Sequence, residues 1–294
     1  METKKIILVT GSSGLVGTEL CAALELRDYT VRRLARGKGS GCWDPEVGYV
    51  DPAVLEGIDA VIHLAGENVA QRWWPAVRRR IYDSRIKGTQ LLVQALLKME
   101  ARPDFIMASG INYYGFADAE PKDEGSHLGE GFLASVCRDW EAAGAPWEAA
   151  GGRLVMVRTG MVLSAKGGAL AKLLPPFKLG LGGPIGSGRQ HMSWISIDDI
   201  VSVYLQALEN KALSGPINAV APVTTCGAEF ARELGAVLKR PACLPAPAFA
   251  LKLAFGAMAK EVILSDLQIE PRRLKEIGFK WAQPNLASAF ASVL

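Results

Sequence analysis

The sequence predicts an α/β protein built on a doubly wound parallel sheet with helices on both faces, joined to a smaller C-terminal lobe. Three observations carry this expectation. Apolar runs of strand length alternate with segments of helical periodicity through the first 160 residues. Glycines mark the first passage from strand to helix. After Gly160 the alternation breaks into SAKGGALAKLLPPFKLGLGGPIGSGRQ, rich in glycine and proline, where the chain leaves the sheet to build a cap.

The elements follow in order. KKIILVT is a strand, Leu15, Leu20, Ala23 and Leu24 mark one face of a helix, and YTVRRLAR is the next strand, which makes a βαβ unit. IDAVIHLAG is a buried strand. RWWPAVRRRIYDSRIKGTQLLVQALLKME is a long helix, with its proline near the start where no intrahelical N–H is required. PDFIMASG and GGRLVMVRTG are further apolar strands, separated by the helix FLASVCRDWEAAGAPWEAA. Strands this uniformly apolar belong in a parallel sheet covered on both sides. SWISIDDIVSVYLQALEN returns to the main domain, with Asp198 and Asp199 read as a helix N-cap and its neighbour. TTCGAEFARELGAVLKR and the final segment supply helices to the smaller lobe. The expected division is 1–160 with 191–220 for the main domain, and 161–190 with 221–294 for the lobe.

Composition narrows the function classes. Of 294 residues, 49% are apolar and 21% charged, the make-up of a globular protein with a sizeable core. The net charge of +3 is small and spread out, so neither nucleic acid nor a membrane surface is expected as a partner. The basic cluster RRRIYDSRIK reads as a solvated helix face. Five cysteines form no C-x-x-C pair and no metal-ligand spacing with the three histidines, which fits a reducing, cytoplasmic setting without a metal. No signal peptide or unbroken membrane span is evident.

Gly11, Gly14 and Gly17 form G-x-x-G-x-x-G directly after a strand and at the opening of a helix. In that context one glycine allows the tight turn, another admits a pyrophosphate to the backbone, and the third lets helix and strand approach, while free N–H groups face the phosphates. The cofactor is selected about 20 residues on, where a carboxylate would bind the adenine ribose of NAD. Here the sequence reads Leu34-Ala35-Arg36-Gly37-Lys38, with no acid. Arg36 and Lys38 suit a 2′-phosphate, so NADP(H) is favoured over NAD(H); the other reading makes both simple loop charges.

VTGSSGLVG, VIHLAGEN, GTQLLVQAL, YYG and SWISIDDI, in that order, resemble the extended short-chain dehydrogenase/reductase superfamily. HLAGENVAQRWW, DSRIKGT, PPFKLGLGGPIGSGRQ, NAVAP and GAEFARELGAVLKRPA are similar more narrowly to an atypical epimerase-like subfamily that includes the bacterial protein YfcH. The resemblance spans nearly the whole chain. It implies a Rossmann-type dinucleotide-binding domain, an NADP-type cofactor and a small C-terminal substrate lobe. It also extends the cofactor site beyond the glycines to Ser12, Ser13, Leu15 and Val16, to Leu64, Ala65 and Gly66, and to Arg85. A homodimer through the two long helices is implied by resemblance alone.

The superfamily's chemistry uses a tyrosine, a lysine four residues later and a hydroxyl that orients substrate. This sequence departs from that pattern. Aligning Glu141 with the acid that follows the lysine puts Leu133 at the tyrosine and Cys137 at the lysine; counting back from the Tyr-Gly pair puts Gly110 at the hydroxyl, with Ser109 one residue earlier. The cleft retains Asn112, Tyr113, Tyr114, Asp123, Glu124 and Cys137. Tyr113, Tyr114 and Ser109 are the candidates for proton transfer and orientation, against a reading of both tyrosines as packing aromatics and of Cys137 as a small buried hydrophobe. His191 is read as a substrate contact or a loop residue, and His63 as a satisfied core histidine. Two functions fit: an NADP-dependent reductase or epimerase acting on an unidentified small molecule, or a non-catalytic NADP(H) sensor.

Overall fold

The computed structural model describes residues 4–37 and 39–294, with Asp118 and Ala119 described through their backbone alone. The first half supplies β1 (Ile6–Thr10), α1 (Leu15–Leu26), β2 (Thr30–Arg36), β3 (Cys42–Asp44), β4 (Tyr49–Val50), β5 (Ala60–His63), α2 (Pro75–Leu97), β6 (Asp104–Gly110), β7 (Ala117–Lys122) and α3 (Phe132–Ala149). The second supplies β8 (Leu154–Thr159), β9 (Met161–Leu163), α4 (Gly168–Lys178), β10 (His191–Met192), β11 (Trp194–Ser196), α5 (Ile197–Glu209), β12 (Gly215–Ala219), β13 (Thr225–Cys226), α6 (Gly227–Leu238), α7 (Ala248–Phe255), β14 (Asp266–Ile269), α8 (Arg272–Glu276) and α9 (Leu286–Val293).

Among the described residues, eight strands join in the order β12-β8-β6-β5-β1-β2-β3-β4. All neighbours run parallel except β3 and β4, an antiparallel edge hairpin. The order departs from β1 in both directions, toward β2 and toward β5, so the crevice at the C-terminal ends of β1 and β5 is the switch point where open α/β sheets bind ligands.

Successive side chains of a strand point to opposite faces, and the core divides accordingly. Ile7 and Val9 of β1, Ile62 of β5, Ile106 of β6 and Val155 and Val157 of β8 pack with Leu20 and Leu24 of α1 and Ile200, Val203 and Tyr204 of α5. Leu8, Val61, Phe105, Met107 and Leu154 turn the other way, against Leu92, Val93 and Leu96 of α2 and Trp140 and Trp147 of α3. Full burial of one such aliphatic side chain contributes about 1.5–3 kcal/mol, so the two layers fix the sheet firmly between them.

Beyond β8 the chain makes smaller pieces: β9 pairs with β11, β10 with β13 and β14 with β7. A separate apolar cluster joins Leu170, Leu174 and Phe177 of α4 to Phe230 and Leu234 of α6 and Phe290 of α9. One local expectation is corrected. The N-cap of α5 is Ser196, whose side chain accepts the Asp199 N–H, and both aspartates lie in the first turn. The serine hydroxyl reaches that N–H from an extended residue, which an aspartate inside the turn cannot do. Asp199 instead accepts the N–H groups of Ala282 and Gln283, tying the C-terminal segment to α5. No helix among the described residues is long and apolar enough to cross a membrane.

Candidate functional site

The three glycines of the first turn have three different physical reasons. Gly11 sits at φ +68°, and a Cβ there would stand 2.8 Å from the Ala65 nitrogen. At Gly17 a Cβ would stand 2.2 Å from the Gly11 carbonyl oxygen, so this glycine lets α1 lie on β1. The protein's own packing demands both. At Gly14 a Cβ would meet one atom within 4 Å, the Gly11 oxygen at 3.2 Å, and the residue is exposed. Its open side is a cradle at the start of α1. No side chain caps α1 at Gly14, so the first-turn N–H groups from Leu15 and Val16 onward are available to an anion. Ser12 is half-buried and Ser13 exposed on the same turn.

Leu64, Ala65 and Gly66 continue from β5 along the other side of this crevice. The Leu64 and Ala65 N–H groups both donate to Thr10 Oγ1 at 3.2 Å. Behind them runs a buried chain. Thr10 Oγ1 lies 2.7 Å from His63 Nδ1, His63 Nε2 lies 3.1 Å from Thr89 Oγ1, and Thr89 donates to the Arg85 carbonyl at 2.7 Å. Trp140 Nε1 also donates to Thr89 Oγ1. With the Thr89 proton committed to Arg85, His63 is the donor at Nε2 and accepts the Thr10 hydroxyl at Nδ1, a neutral ring. Burial, then the Arg85 charge, pushes its pKa down to about 3. Because the folded value lies below the ordinary 6.5, stability from the neutral ring is complete above pH 6.5 and is lost as pH falls toward 3. Down to pH 4 this amounts to about 3 kcal/mol, so urea unfolding at pH 7 and pH 4 is expected to show a steep acid loss that His63→Gln flattens. Equal pH dependence in both proteins would contradict this.

Arg36 ends β2, exposed, with no hydrogen bond or ion pair to another described residue. Its strand neighbour across the sheet is Trp43. Lys38 lies outside the described residues.

At the ends of β6 and β8 the structure brings together residues that the sequence kept apart. Ser109 donates to Glu141 Oε1 at 2.7 Å. Arg158 clamps the same carboxylate through Nε at 2.8 Å and Nη2 at 2.7 Å. Its Nη1 donates to the Tyr114 hydroxyl at 2.8 Å, which donates onward to Asn218 Oδ1 at 2.8 Å. The Asn218 N–H then reaches Glu124 Oε1. All of these side chains are buried. Burial works against the Arg158 charge, but hydrogen bonds and charge from Glu141 outweigh it and raise its pKa. Burial pushes Tyr114 up to about 12. Tyr113 differs: its ring lies under the Arg158 guanidinium at 3.5 Å and edge-on to Tyr114, and its hydroxyl has no hydrogen-bond partner among the described residues.

Leu133 and Cys137 lie buried on α3. The Cys137 sulfur is 3.6 Å from where a Gly110 Cβ would stand, so the aligned positions do face one another. Burial, then the Glu141 charge, pushes the thiol up to about 11. Above Leu133, Glu261 Oε2 accepts the Leu133 N–H at 3.0 Å, and Asn112 donates to the Glu261 carbonyl at 3.2 Å. His191 is held by Asp266 Oδ1, which accepts its N–H and lies 2.8 Å from Nδ1. No sequence reading assigns a role to Arg158, Asn218, Glu261 or Asp266. Arg158 stands out only as a charge inside the apolar run LVMVRT, and Asn218 only as the first residue of NAVAP.

The profile of the NAD dependent epimerase/dehydratase family matches residues 7–220. The chain belongs to that family. A second profile, a domain of unknown function (DUF1731), matches residues 246–293 of this epimerase-family chain. Epimerase family protein ML0860 of Mycobacterium leprae is 38% identical over 98% of this chain and 95% of its own length. A crystal structure of human epimerase family protein SDR39U1 (isoform 2) with NADPH superposes at a TM-score of 0.89 and 34% identity, covering 98% of each chain. UDP-glucuronic acid 4-epimerase from Bacillus cereus, solved with UDP-glucuronic acid and NAD, superposes at 0.78 with 18% identity over 98% of this chain and 97% of its own, a likeness of fold. Among the described residues no group of three His, Cys, Asp or Glu side chains is placed to hold a metal ion.

Proposed function

We propose that this epimerase-family protein binds NADP(H) in preference to NAD(H) and is an oxidoreductase or epimerase on a small molecule, working without the Tyr-x-x-x-Lys pair. The observation that carries the reading is the open cradle at Gly14 on an uncapped helix N-terminus, with Arg36, unpartnered among the described residues, at the end of the next strand. In this reading Ser12, Ser13, Leu15 and Val16 surround the pyrophosphate, Leu64, Ala65 and Gly66 line the opposite wall, and Arg36 pairs with the 2′-phosphate. The NADPH in the human relative supports the choice. The bound nicotinamide would exchange a hydride with a substrate carbon. Arg36→Asp is expected to weaken NADPH binding by at least tenfold in a calorimetric titration, since a hydrogen bond to a charged group is worth about 1.5–3 kcal/mol. Unchanged affinity would remove Arg36 from the site.

Of the two tyrosines, Tyr113 is the proposed proton donor. The Tyr114 hydroxyl is filled by Arg158 and Asn218, and Ser109 gives its proton to Glu141, which makes both positioning residues. The test is NADPH oxidation at 340 nm against a panel of carbonyl compounds. Tyr113→Phe is expected to slow the rate by about 100-fold, and Tyr114→Phe to lower thermal stability instead. A Tyr113→Phe protein as fast as the parent would exclude this donor. The internal commitment of Ser109 and Tyr114 also favours a second reading, a sensor that binds NADP(H) without turnover. Tight NADPH binding with no oxidation across the panel would select it.

A further inference from the structure

Arg85 lies on α2 at the crevice end of β5, and among the described residues no carboxylate makes an ion pair with it, although the Glu67 charge attracts it from further away. Nη1 is consumed by two backbone carbonyls, Glu67 O at 3.0 Å and Ile81 O at 3.1 Å. The Nε and Nη2 donors have no partner among the described residues. One face of the guanidinium lies against Gly66, where a Cβ would stand 3.1 Å from Cζ and 3.2 Å from Nη2, and the Trp140 ring is 5.0 Å away. Neither neighbouring carboxylate touches it. Glu67 faces Gln71 at 2.9 Å and Arg80 at 3.7 Å, and Glu141 is held by Arg158 and Ser109. Burial opposes the Arg85 charge. A half-buried cation with no carboxylate in contact is costly to keep, and here it stands at the switch point beside Gly66.

We infer that the free Nε–Nη2 edge of Arg85 binds a carboxylate of the small-molecule substrate. The two N–H groups of that edge are parallel and coplanar, which matches the two oxygens of a planar carboxylate and gives a bidentate, charge-assisted pair. Gly66 lets the guanidinium lie close against the backbone, since a Cβ there would stand 3.1 Å from Cζ and push the group back by a few tenths of an ångström. The substrate class is therefore a carboxylate-bearing molecule, seated next to the cofactor; Arg85 was read from sequence as a cofactor ligand, and this inference turns its charge toward the substrate instead. It rests on the NADP(H)-binding reading proposed above.

The test uses the full-length protein and oxalate as the probe. NADPH is first titrated into the parent, Arg85→Gln and Arg85→Lys proteins. The NADP⁺-saturated proteins are then titrated with oxalate and, separately, with inorganic phosphate. The parent is expected to bind oxalate, Arg85→Gln to lose at least tenfold in oxalate affinity while keeping its NADPH affinity within about threefold, and phosphate to bind no better to the parent than to Arg85→Gln. Arg85→Lys keeps the charge and loses the planar edge, so it too is expected to lose oxalate affinity, and it serves if Arg85→Gln does not fold. Equal oxalate affinity in parent and variant, or no oxalate binding to the NADP⁺-loaded parent, overturns the inference. So does a tenfold loss of NADPH affinity in a folded variant, which makes Arg85 a cofactor ligand. Failure of the parent to bind NADPH sinks the cofactor reading by a separate measurement.

Discussion

Gly14→Val is expected to abolish NADPH binding and leave a folded protein. A Cβ at this position meets only the Gly11 oxygen at 3.2 Å, so the backbone needs a shift of a few tenths of an ångström. Gly14 has φ −77° and ψ 172°, an extended conformation open to any residue. The branched side chain would instead fill the approach to the first turn of α1, where the pyrophosphate needs direct contact with backbone N–H groups. Gly17→Val is the contrast. Its Cβ would stand 2.2 Å from the Gly11 oxygen and 2.8 Å from the Ser12 Cα, so helix and strand must separate and the protein is expected to misfold. Circular dichroism melting with calorimetry distinguishes the two: an intact melt without binding for Gly14→Val, and a lost or strongly lowered melt for Gly17→Val. A folded Gly14→Val protein with normal NADPH affinity would mean that the cofactor lies elsewhere.

Glu141→Ala is expected to cost about 3–5 kcal/mol of folding stability, a large part of the roughly 5–15 kcal/mol available to a typical domain. The loss comes from what remains: Arg158 keeps a buried charge with two donors unpaired, and Ser109 loses its acceptor. Removing both partners at once is different, because the desolvation cost disappears with the charges. The double variant Glu141→Leu with Arg158→Met is therefore expected to be more stable than Glu141→Ala alone, even though Tyr114 then loses its donor. Urea unfolding of the parent, Glu141→Ala and the double variant measures this. A double variant no more stable than Glu141→Ala would show that the ion pair is not the coupled unit described.

The main sheet and the glycine turn were legible because their signals are local. The strands from IILVT to LVMVRT are short apolar runs bounded by turn residues, and Gly11, Gly14 and Gly17 announce a strand-to-helix turn within seven positions. The edge hairpin β3–β4 was missed since strands of three and two residues carry no periodicity. The polar network was missed for another reason. Ser109, Tyr114, Glu141, Arg158 and Asn218 come from separate elements, and only the parallel pairing of β6, β8 and β12 brings them together. Sequence chemistry gave Tyr113 and Tyr114 the same standing; the fold separates them, because Arg158 and Asn218 close on one hydroxyl and not the other. Glu261 and Asp266 belong to a C-terminal segment that reaches α3 and β10 across more than 70 residues of chain, and no local pattern encodes such contacts.

The most direct test is a paired calorimetric titration of the unmodified protein with NADPH and NADH under the same buffer and salt. With Arg36 unpaired among the described residues at the end of β2 and no carboxylate in the sequence Leu34-Ala35-Arg36-Gly37-Lys38, NADPH is expected to bind at least tenfold more tightly, the value of one or more charge-assisted hydrogen bonds to the 2′-phosphate. Equal affinity for the two, or tighter binding of NADH, would contradict the NADP(H) reading.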